Sequence, residues 1–191
     1  MNRIAILVLL IGSMLTPIEQ LDLAFQRWAQ ASREPWMEPA MQGATRIGRP
    51  ENVMVVLLGV ALFGGPAGPV IARHAITVLL PVNLVVEATK YTVGRTRPDG
   101  DSKRRNSSFP SSHAANAFAV AWVVAARWRR AAWPAFVVAV LIAGSRIYLN
   151  RHFLSDVVAG SLIGVGVAFA VGRWLQVRGE SWLHEGRLRK V

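Results

Sequence analysis

The 191-residue chain has no cysteine, which excludes a disulfide framework and leaves the redox compartment open. It is also poor in charge: Asp, Glu, Lys and Arg make up 17% of it, against about 25% in ordinary soluble domains. Acidic residues are the scarcer sign, 11 against 22 Lys and Arg, for a formal charge of +11. That balance excludes an acidic disordered chain and fits an ordinary cytosolic enzyme poorly. Two partners suit it, nucleic acid or a membrane.

The distribution of charge separates the two. No Asp, Glu, Lys or Arg occurs from Asn52 to Ala72, Asn106 to Ala126, Ala131 to Ser145 or Val157 to Gly172. A nucleic-acid-binding domain displays its basic residues on a solvated surface, whereas here they crowd between long apolar runs. This is membrane patterning, and it excludes nucleic acid as the partner.

Six candidate helices follow: Ile4 to Leu15, Val53 to Phe63, about Val70 to Lys90, about Ala114 to Ala126, Ala132 to about Tyr148, and about Asp156 to Trp174. The expected fold is an all-α, polytopic membrane bundle of about six transmembrane helices, one domain over 1–191 with its motif-bearing core at about 70–175. Several apolar cores fall short of the roughly 20 residues a span needs and must extend into polar flanks. Arg3 and the run after it also resemble the start of a signal peptide, but no A-x-A-like site follows directly, so a retained anchor is expected. From Glu19 to Asn52, charges mix with Leu21, Leu23, Phe25, Trp28, Trp36 and Met37, as in short interfacial helices or a plain extramembrane loop.

Orientation rests on more than a count. With both ends inside, ten basic residues fall on the cytoplasmic side and twelve opposite, so the positive-inside rule alone does not decide. The short Arg127-Trp128-Arg129-Arg130 connection and the basic tail favour that arrangement, and the basic residues opposite then need another task.

Three clusters supply one. Lys90 and Arg97-Pro98 close the third span, seven residues or about two helical turns apart; on a continuing helix they share a face. Arg offers phosphate a planar fork and Lys a point charge, although both can also snorkel to headgroups. Next, Asn106 to His113 precedes an apolar helix. Pro110 suits a helix start, and Ser111 and Ser112 offer hydroxyls and N–H groups where a helix N-terminus attracts an anion, with His113 in the first turn. Last, Ser145 to Asp156 links the final two spans. His152 and Asp156 stand four apart, so a helix beginning near His152 lets the carboxylate fix the imidazole tautomer, and Arg146 adds a second fork. The connections after the third and fifth spans emerge on one side of the membrane, so the three clusters can converge.

These motifs resemble the type-2 phosphatidic acid phosphatase superfamily, the lipid phosphate phosphatases, whose relatives include bacterial acid phosphatases and vanadium haloperoxidases. The family pattern is Lys, six residues, Arg-Pro; then Pro-Ser-Gly-His; then Ser-Arg, five residues, His, three residues, Asp. Lys90 to Pro98 and Ser145 to Asp156 match without a gap or substitution; Ser112 stands where the family usually has Gly. The resemblance covers about residues 20–175.

It implies a nucleophile, His152, that forms a phosphohistidine, oriented by Asp156. His113 protonates the leaving oxygen and later helps activate water; Lys90, Arg97, Arg146, Ser111 and Ser112 hold the phosphate. No cofactor and no metal are implied. The chain offers no carboxylate cluster for a metal, and Asp99 and Asp101 read as loop charges. The expected partners are a lipid phosphate (undecaprenyl diphosphate, phosphatidate, phosphatidylglycerol phosphate or lipid A phosphate, the first favoured by analogy) and the bilayer. The expected location is the bacterial inner membrane, with the site facing the periplasm or exterior. The alternatives are a lipid phosphotransferase using the same phosphohistidine, a vanadium-dependent haloperoxidase, disfavoured because such enzymes are soluble, and a membrane-anchored binder of anionic polymers.

The remaining features read as structural. Glu87 pairs with Lys90 one turn on; Lys103-Arg104-Arg105 is a solvated loop; His74 and His184 are structural or superficial; Trp128, Trp133 and Trp174 fit an interfacial belt away from the site.

Overall fold

The computed structural model describes residues 16–101 and 107–177. The apolar segment from Ile4 to Leu15, the Lys103-Arg104-Arg105 run and His184 lie outside the described residues. Within them there are seven α-helices and no strand: α1 (Pro17–Ala31), α2 (Glu38–Ile47), α3 (Pro50–Phe63), α4 (Gly68–Val93), α5 (Ser112–Arg127), α6 (Ala132–Tyr148) and α7 (Leu154–Val177).

Three helical stretches are long and apolar enough to cross a membrane: Gly65–Val93, Arg129–Tyr148 and Leu154–Val177. Helix α3, at 14 residues, is apolar but shorter. Helix α5 has 16 residues, about 24 Å, and is the inner helix of the bundle, packed against α4, α6 and α7. Its Ala114, Ala115, Ala119 and Ala121 are buried, whereas Leu80 and Leu84 of α4 and Leu162 of α7 are each about 70% exposed. Small residues inside and large apolar ones outside are what a helix bundle in lipid requires.

The closest packing joins α5 to α7. Gly160, Gly164, Ala168 and Gly172 line one stripe of α7 at i, i+4 spacing, all buried. A Cβ on Gly164 would stand 2.2 Å from the Ala115 carbonyl oxygen, and one on Gly160 2.4 Å from that of Ser111. The small-xxx-small stripe lets the two backbones touch and holds their N-termini side by side.

Between Glu19 and Asn52 the chain is helical rather than a plain loop, in α1, α2 and the start of α3. Helix α1 opens with a reciprocal capping box, in which Thr16 accepts from the Glu19 N–H and Glu19 from the Thr16 N–H. It is inside out relative to a soluble helix: Asp22 and Gln26 are buried while Ile18, Leu21 and Trp28 are about 60% exposed. The bundle alternates direction, so the C-terminal ends of α4 and α6 meet the N-terminal ends of α5 and α7. Trp128, Trp133 and Trp174, all exposed, sit at the opposite ends of these helices.

Candidate active site

A cavity of about 450 Å³ opens where those four helix ends meet, closed on one side by the α2–α3 junction. Lys90, Arg97, Ser112, His113, Arg146 and His152 line it, so residues from all three sequence clusters share one wall. Arg49 and Arg151 line it too. Among the described residues the wall carries five Lys or Arg side chains and one carboxylate, Glu87. The N-terminus of α5 adds its positive end, and the first-turn N–H groups of Ser112 and His113 have no acceptor within α5. The arrangement suits an anion bearing more than one charge.

Lys90 reaches the cavity from the last turn of α4, is buried, and pairs with Glu87 Oε1 at 3.2 Å, the partner its spacing indicated. The helix does not continue to Arg97. It stops at Val93, where Gly94 takes the left-handed conformation (φ 62°), and the chain turns so that Arg97 enters from a loop. Arg97 NH1 donates to the Arg151 carbonyl at 3.1 Å. Arg146 NH1 donates to Thr45 Oγ1 at 2.6 Å, while its buried Nε finds no acceptor among the described residues. A buried guanidinium N–H without a partner beside a cavity is a donor held ready for a ligand.

The two serines part company. Helix α5 begins at Ser112 rather than Pro110, and Ser111 is its N-cap: Ser111 Oγ accepts from the Ala114 N–H, and the Ser111 N–H donates to the Asp156 carbonyl at 3.0 Å. Ser111 is fully buried and off the cavity wall, with its groups spent on capping and on tying α5 to α7; Ser112 remains on the wall.

His152 stands on a loop, not on a helix. Helix α6 ends in a Schellman motif, with the Asn150 N–H on the Ile147 carbonyl (3.0 Å), the Arg151 N–H on that of Arg146 (2.9 Å), and Asn150 in the left-handed region at φ 57°. Helix α7 starts only at Leu154, so the expected i, i+4 face is not made. Nδ1 of His152 lies 3.8 Å from Asp156 Oδ2, too far for a hydrogen bond, and 2.7 Å from the Ser108 carbonyl oxygen. The tautomer is therefore fixed by a backbone carbonyl, and Nε2 keeps the free lone pair. Burial pushes the His152 pKa down to about 4, leaving the ring neutral near pH 7.

Asp156 is fully buried and off the cavity wall as well. It accepts from Ser108 Oγ (2.5 Å), the Phe153 N–H (2.8 Å) and Arg95 NH1 (2.7 Å). It thus organises the residues around His152 rather than bonding the ring.

Sequence reasoning missed three residues of this network. In the sequence Arg95 is one basic residue among the twelve on its side; its signal is a second Arg beside Arg97, just past a helix-ending Gly. Ser108 lies in the polar stretch before α5, where the sequence does not set it apart from the other serines. Asp22 had no local signal, because its partners lie more than 70 residues away. The loop charge Asp99 pairs with Arg151 at 2.7 Å, and His74 is buried within α4. Among the described residues no group of three or more His, Cys, Asp or Glu is gathered as metal ligands would be.

A second cavity, of about 370 Å³, adjoins the first. It runs between α3, α5 and α6, lined by side chains such as Leu57, Val120, Val124, Val138 and Ile142; among the described residues Asn116 and the Trp128 indole are its polar side chains. Gly48 and Asn116 line both cavities, so the cationic chamber and the apolar groove adjoin at these two residues.

The fold and sequence agree with proteins already described. Over 90% of the chain superposes with a TM-score of 0.69 on 92% of the transmembrane PAP2 type phosphatidylglycerolphosphate phosphatase from Bacillus subtilis, and over 78% with the same score on 93% of LpxE from Aquifex aeolicus, each at 24% identity. In sequence, 175 residues are 29% identical to phosphatidylglycerophosphatase B of Bacillus subtilis, covering 81% of this chain and 83% of that one. A 95-residue stretch is 39% identical to the lipid A 1-phosphatase of Porphyromonas gingivalis, 48% of this chain but only 20% of that longer protein. The PAP2 superfamily model matches residues 70–180, which hold all three motif clusters, and the chain is therefore a member of the PAP2 superfamily.

Proposed function

We propose that the protein is a membrane lipid phosphatase, hydrolysing a phosphate monoester or diphosphate of a bilayer lipid through a phosphohistidine on His152. The observation that carries this reading is that a five-cation chamber and an apolar groove lie side by side and share Gly48 and Asn116. A soluble phosphate has no use for the groove, and an uncharged lipid none for the chamber. The PAP2 relatives, named as phosphatases of lipid A and of phosphatidylglycerophosphate, favour the same class.

Lys90, Arg97 and Arg146, with the N–H groups at the start of α5, hold the phosphate oxygens and stabilise the charge that builds in the pentacoordinate transition state. The Nε2 lone pair of His152 attacks phosphorus. Burial and the neighbouring cations hold the His113 pKa down to about 3 in the free site, so it takes up its proton with the incoming phosphate; as the N–P bond forms, the bond from phosphorus to the leaving oxygen breaks and His113 passes that proton to the oxygen. Water then attacks the phosphohistidine, His113 takes a proton from it, the N–P bond breaks and inorganic phosphate leaves. No metal takes part in either step. The site faces the periplasm or cell exterior, with the Arg127 to Arg130 connection in the cytoplasm.

The test uses the purified full chain in detergent, a lipid phosphate or diphosphate, and His152→Ala. Wild-type protein is expected to release inorganic phosphate, insensitive to chelator, and to trap an acid-labile phosphoenzyme; the variant should do neither. Undiminished release by His152→Ala would overturn the assignment, loss of activity to chelator the metal-free step, and a new phosphorylated lipid in place of free phosphate the hydrolase reading.

A further inference from the structure

Helix α1 turns a polar stripe, Asp22, Gln26 and Gln30, toward the loop that carries His152. Gln26 Nε2 donates to Asn150 Oδ1 (2.7 Å) and the Ile147 carbonyl (3.2 Å), and Gln30 Nε2 to the carbonyls of Ile147 (3.1 Å) and Tyr148 (3.3 Å). The carbonyls of Ile147 and Tyr148 belong to the last turn of α6, where no helical donor follows four residues on, since the N–H groups of Arg151 and His152 both turn back to Arg146. Asp22, 1% exposed, accepts from the Ser155 N–H at 2.9 Å and from Ser155 Oγ at 2.5 Å. It therefore caps the first turn of α7 from a different helix, where a carboxylate is favoured by the helix dipole.

Arg95 joins this cap to the site. NH2 donates to Asp22 Oδ2 (2.7 Å), NH1 to Asp156 Oδ1 (2.7 Å) and Ser155 Oγ (2.8 Å), and the guanidinium lies 4.4 Å over the Phe153 ring. Its backbone is tied to the other side: the Arg95 N–H donates to Ser107 Oγ (2.9 Å), and the Arg95 carbonyl accepts from the Ser108 N–H (2.8 Å). Ser108 is the residue whose carbonyl holds Nδ1 of His152. One guanidinium thus sits between two buried carboxylates and fixes both walls of the His152 slot, Ser108 on one side and Phe153 to Asp156 on the other. Neither Asp22 nor Arg95 lines the cavity.

We infer that Asp22 and Arg95 are a positioning pair for phosphoryl transfer: they hold His152 at the angle and in the tautomer its attack requires, without touching the phosphate. The inference rests on the reading of His152 as nucleophile. It separates Asp22 and Arg95 from the cavity-lining cations, which bind substrate, and gives α1 a task in the chemistry.

The experiment compares full-length wild type with Asp22→Asn, Arg95→Lys and their double variant in the same detergent. It reads kcat and KM per folded molecule, and the imidazole ¹⁵N shifts of His152. Misplacing a nucleophile by about 1 Å costs on the order of 10²-fold in rate, so each single variant should lose about 10- to 100-fold in kcat while KM stays within about twofold. The double variant should lose little more than the worse single one, since the two act as one unit. The ¹⁵N spectrum should show His152 leaving its Nδ1–H tautomer. Unchanged kcat per folded molecule in Asp22→Asn, or a KM rise with kcat intact, overturns the inference. Should Asp22→Asn not fold, Asp22→Glu and Ser155→Ala, which keep the charge or remove a single hydroxyl, carry the same outcomes. His152→Ala run alongside separates the two readings: full activity there refutes the nucleophile itself, whereas a dead His152→Ala with unaffected Asp22 and Arg95 variants refutes only the positioning pair.

Discussion

The carbonyl oxygen of Ser108 lies 2.7 Å from Nδ1 of His152, across 44 residues of chain, and it holds the ring where the sequence pointed to Asp156. A backbone carbonyl can only accept, so it demands the Nδ1–H tautomer; a carboxylate in its place would also favour the protonated ring. Burial acts in the same direction, lowering the pKa to about 4.

In the free protein His152 should accordingly be neutral with its proton on Nδ1 throughout pH 5–8. The chain has 4 histidines, few enough to assign ¹⁵N imidazole shifts by comparison with His152→Ala. The sign for stability follows. An unfolded histidine takes up its proton near 6.5, the native one only near 4, so this group's contribution is full above about pH 6.5 and is lost as pH falls toward 4. A His152 signal titrating near 6.5 in folded protein would contradict this.

Asn150 should be the residue of the His152 loop least tolerant of a β-branched side chain. At φ 57° glycine fits freely and asparagine acceptably, but valine is strained by about 1–3 kcal/mol. Asn150→Gly keeps the turn and loses the Gln26 hydrogen bond, a change of about 1 kcal/mol. Asn150→Val should unfold at clearly lower temperature than Asn150→Gly in the same detergent and lose more activity; equal midpoints would show that the Schellman turn does not constrain the loop.

How much of this was legible in the sequence depends on the range of each signal. Helices α3 and α5 to α7 followed from charge-free runs and α4 from the apolar stretch between Arg73 and Glu87, and their ends moved by only a few residues. Convergence of Lys90, His113, Arg146 and His152 followed from topology, because helices that alternate direction bring alternate connections to one side. What failed was local continuity: Lys90 to Arg97 and His152 to Asp156 were given helical faces, yet Gly94 and the Asn150 turn interrupt both. A seven- or four-residue spacing cannot show whether a helix persists across it. Ser111 departed for a related reason, since a serine before a helix spends its hydroxyl on the cap. Asp22 was beyond local reasoning altogether, an acid in an amphipathic segment whose inward face is the polar one.

The glycine stripe on α7 gives a packing test with its own control. In Gly164→Val the new Cβ would sit 2.2 Å from the Ala115 carbonyl, so α5 and α7 must part, whereas Gly166 has nothing within 4 Å and faces outward. Overpacking of this kind costs about 1–3 kcal/mol. Gly164→Val should lower the melting temperature and, because the stripe also sets Ser111 against Asp156, reduce kcat; Gly166→Val should do neither. Equal behaviour of the two would remove the stripe from the account.

The apolar groove makes the strongest demand on the proposed function. From Asn116 to Val124 it follows α5 for about 12 Å, enough for a stretch of hydrocarbon leaving the chamber past Gly48. Each methylene buried from water contributes about 0.8 kcal/mol, about fourfold in kcat/KM. For alkyl phosphates kept monomeric below their micelle concentration, kcat/KM should therefore climb with chain length and level off once the groove is full. Val56 and Val138 line the groove and are about half exposed, so a larger side chain there can fill it without disturbing the core. Val56→Trp or Val138→Trp, displacing two methylenes, should cost about 1.6 kcal/mol, about fifteenfold, for a long-chain phosphate, yet leave a tailless aryl phosphate within about twofold. Such a split assigns the groove to the tail and the chamber to the phosphate. A parallel loss on both substrates would mean the tryptophan had disturbed the chamber, and a flat chain-length series would mean the groove does not hold the tail.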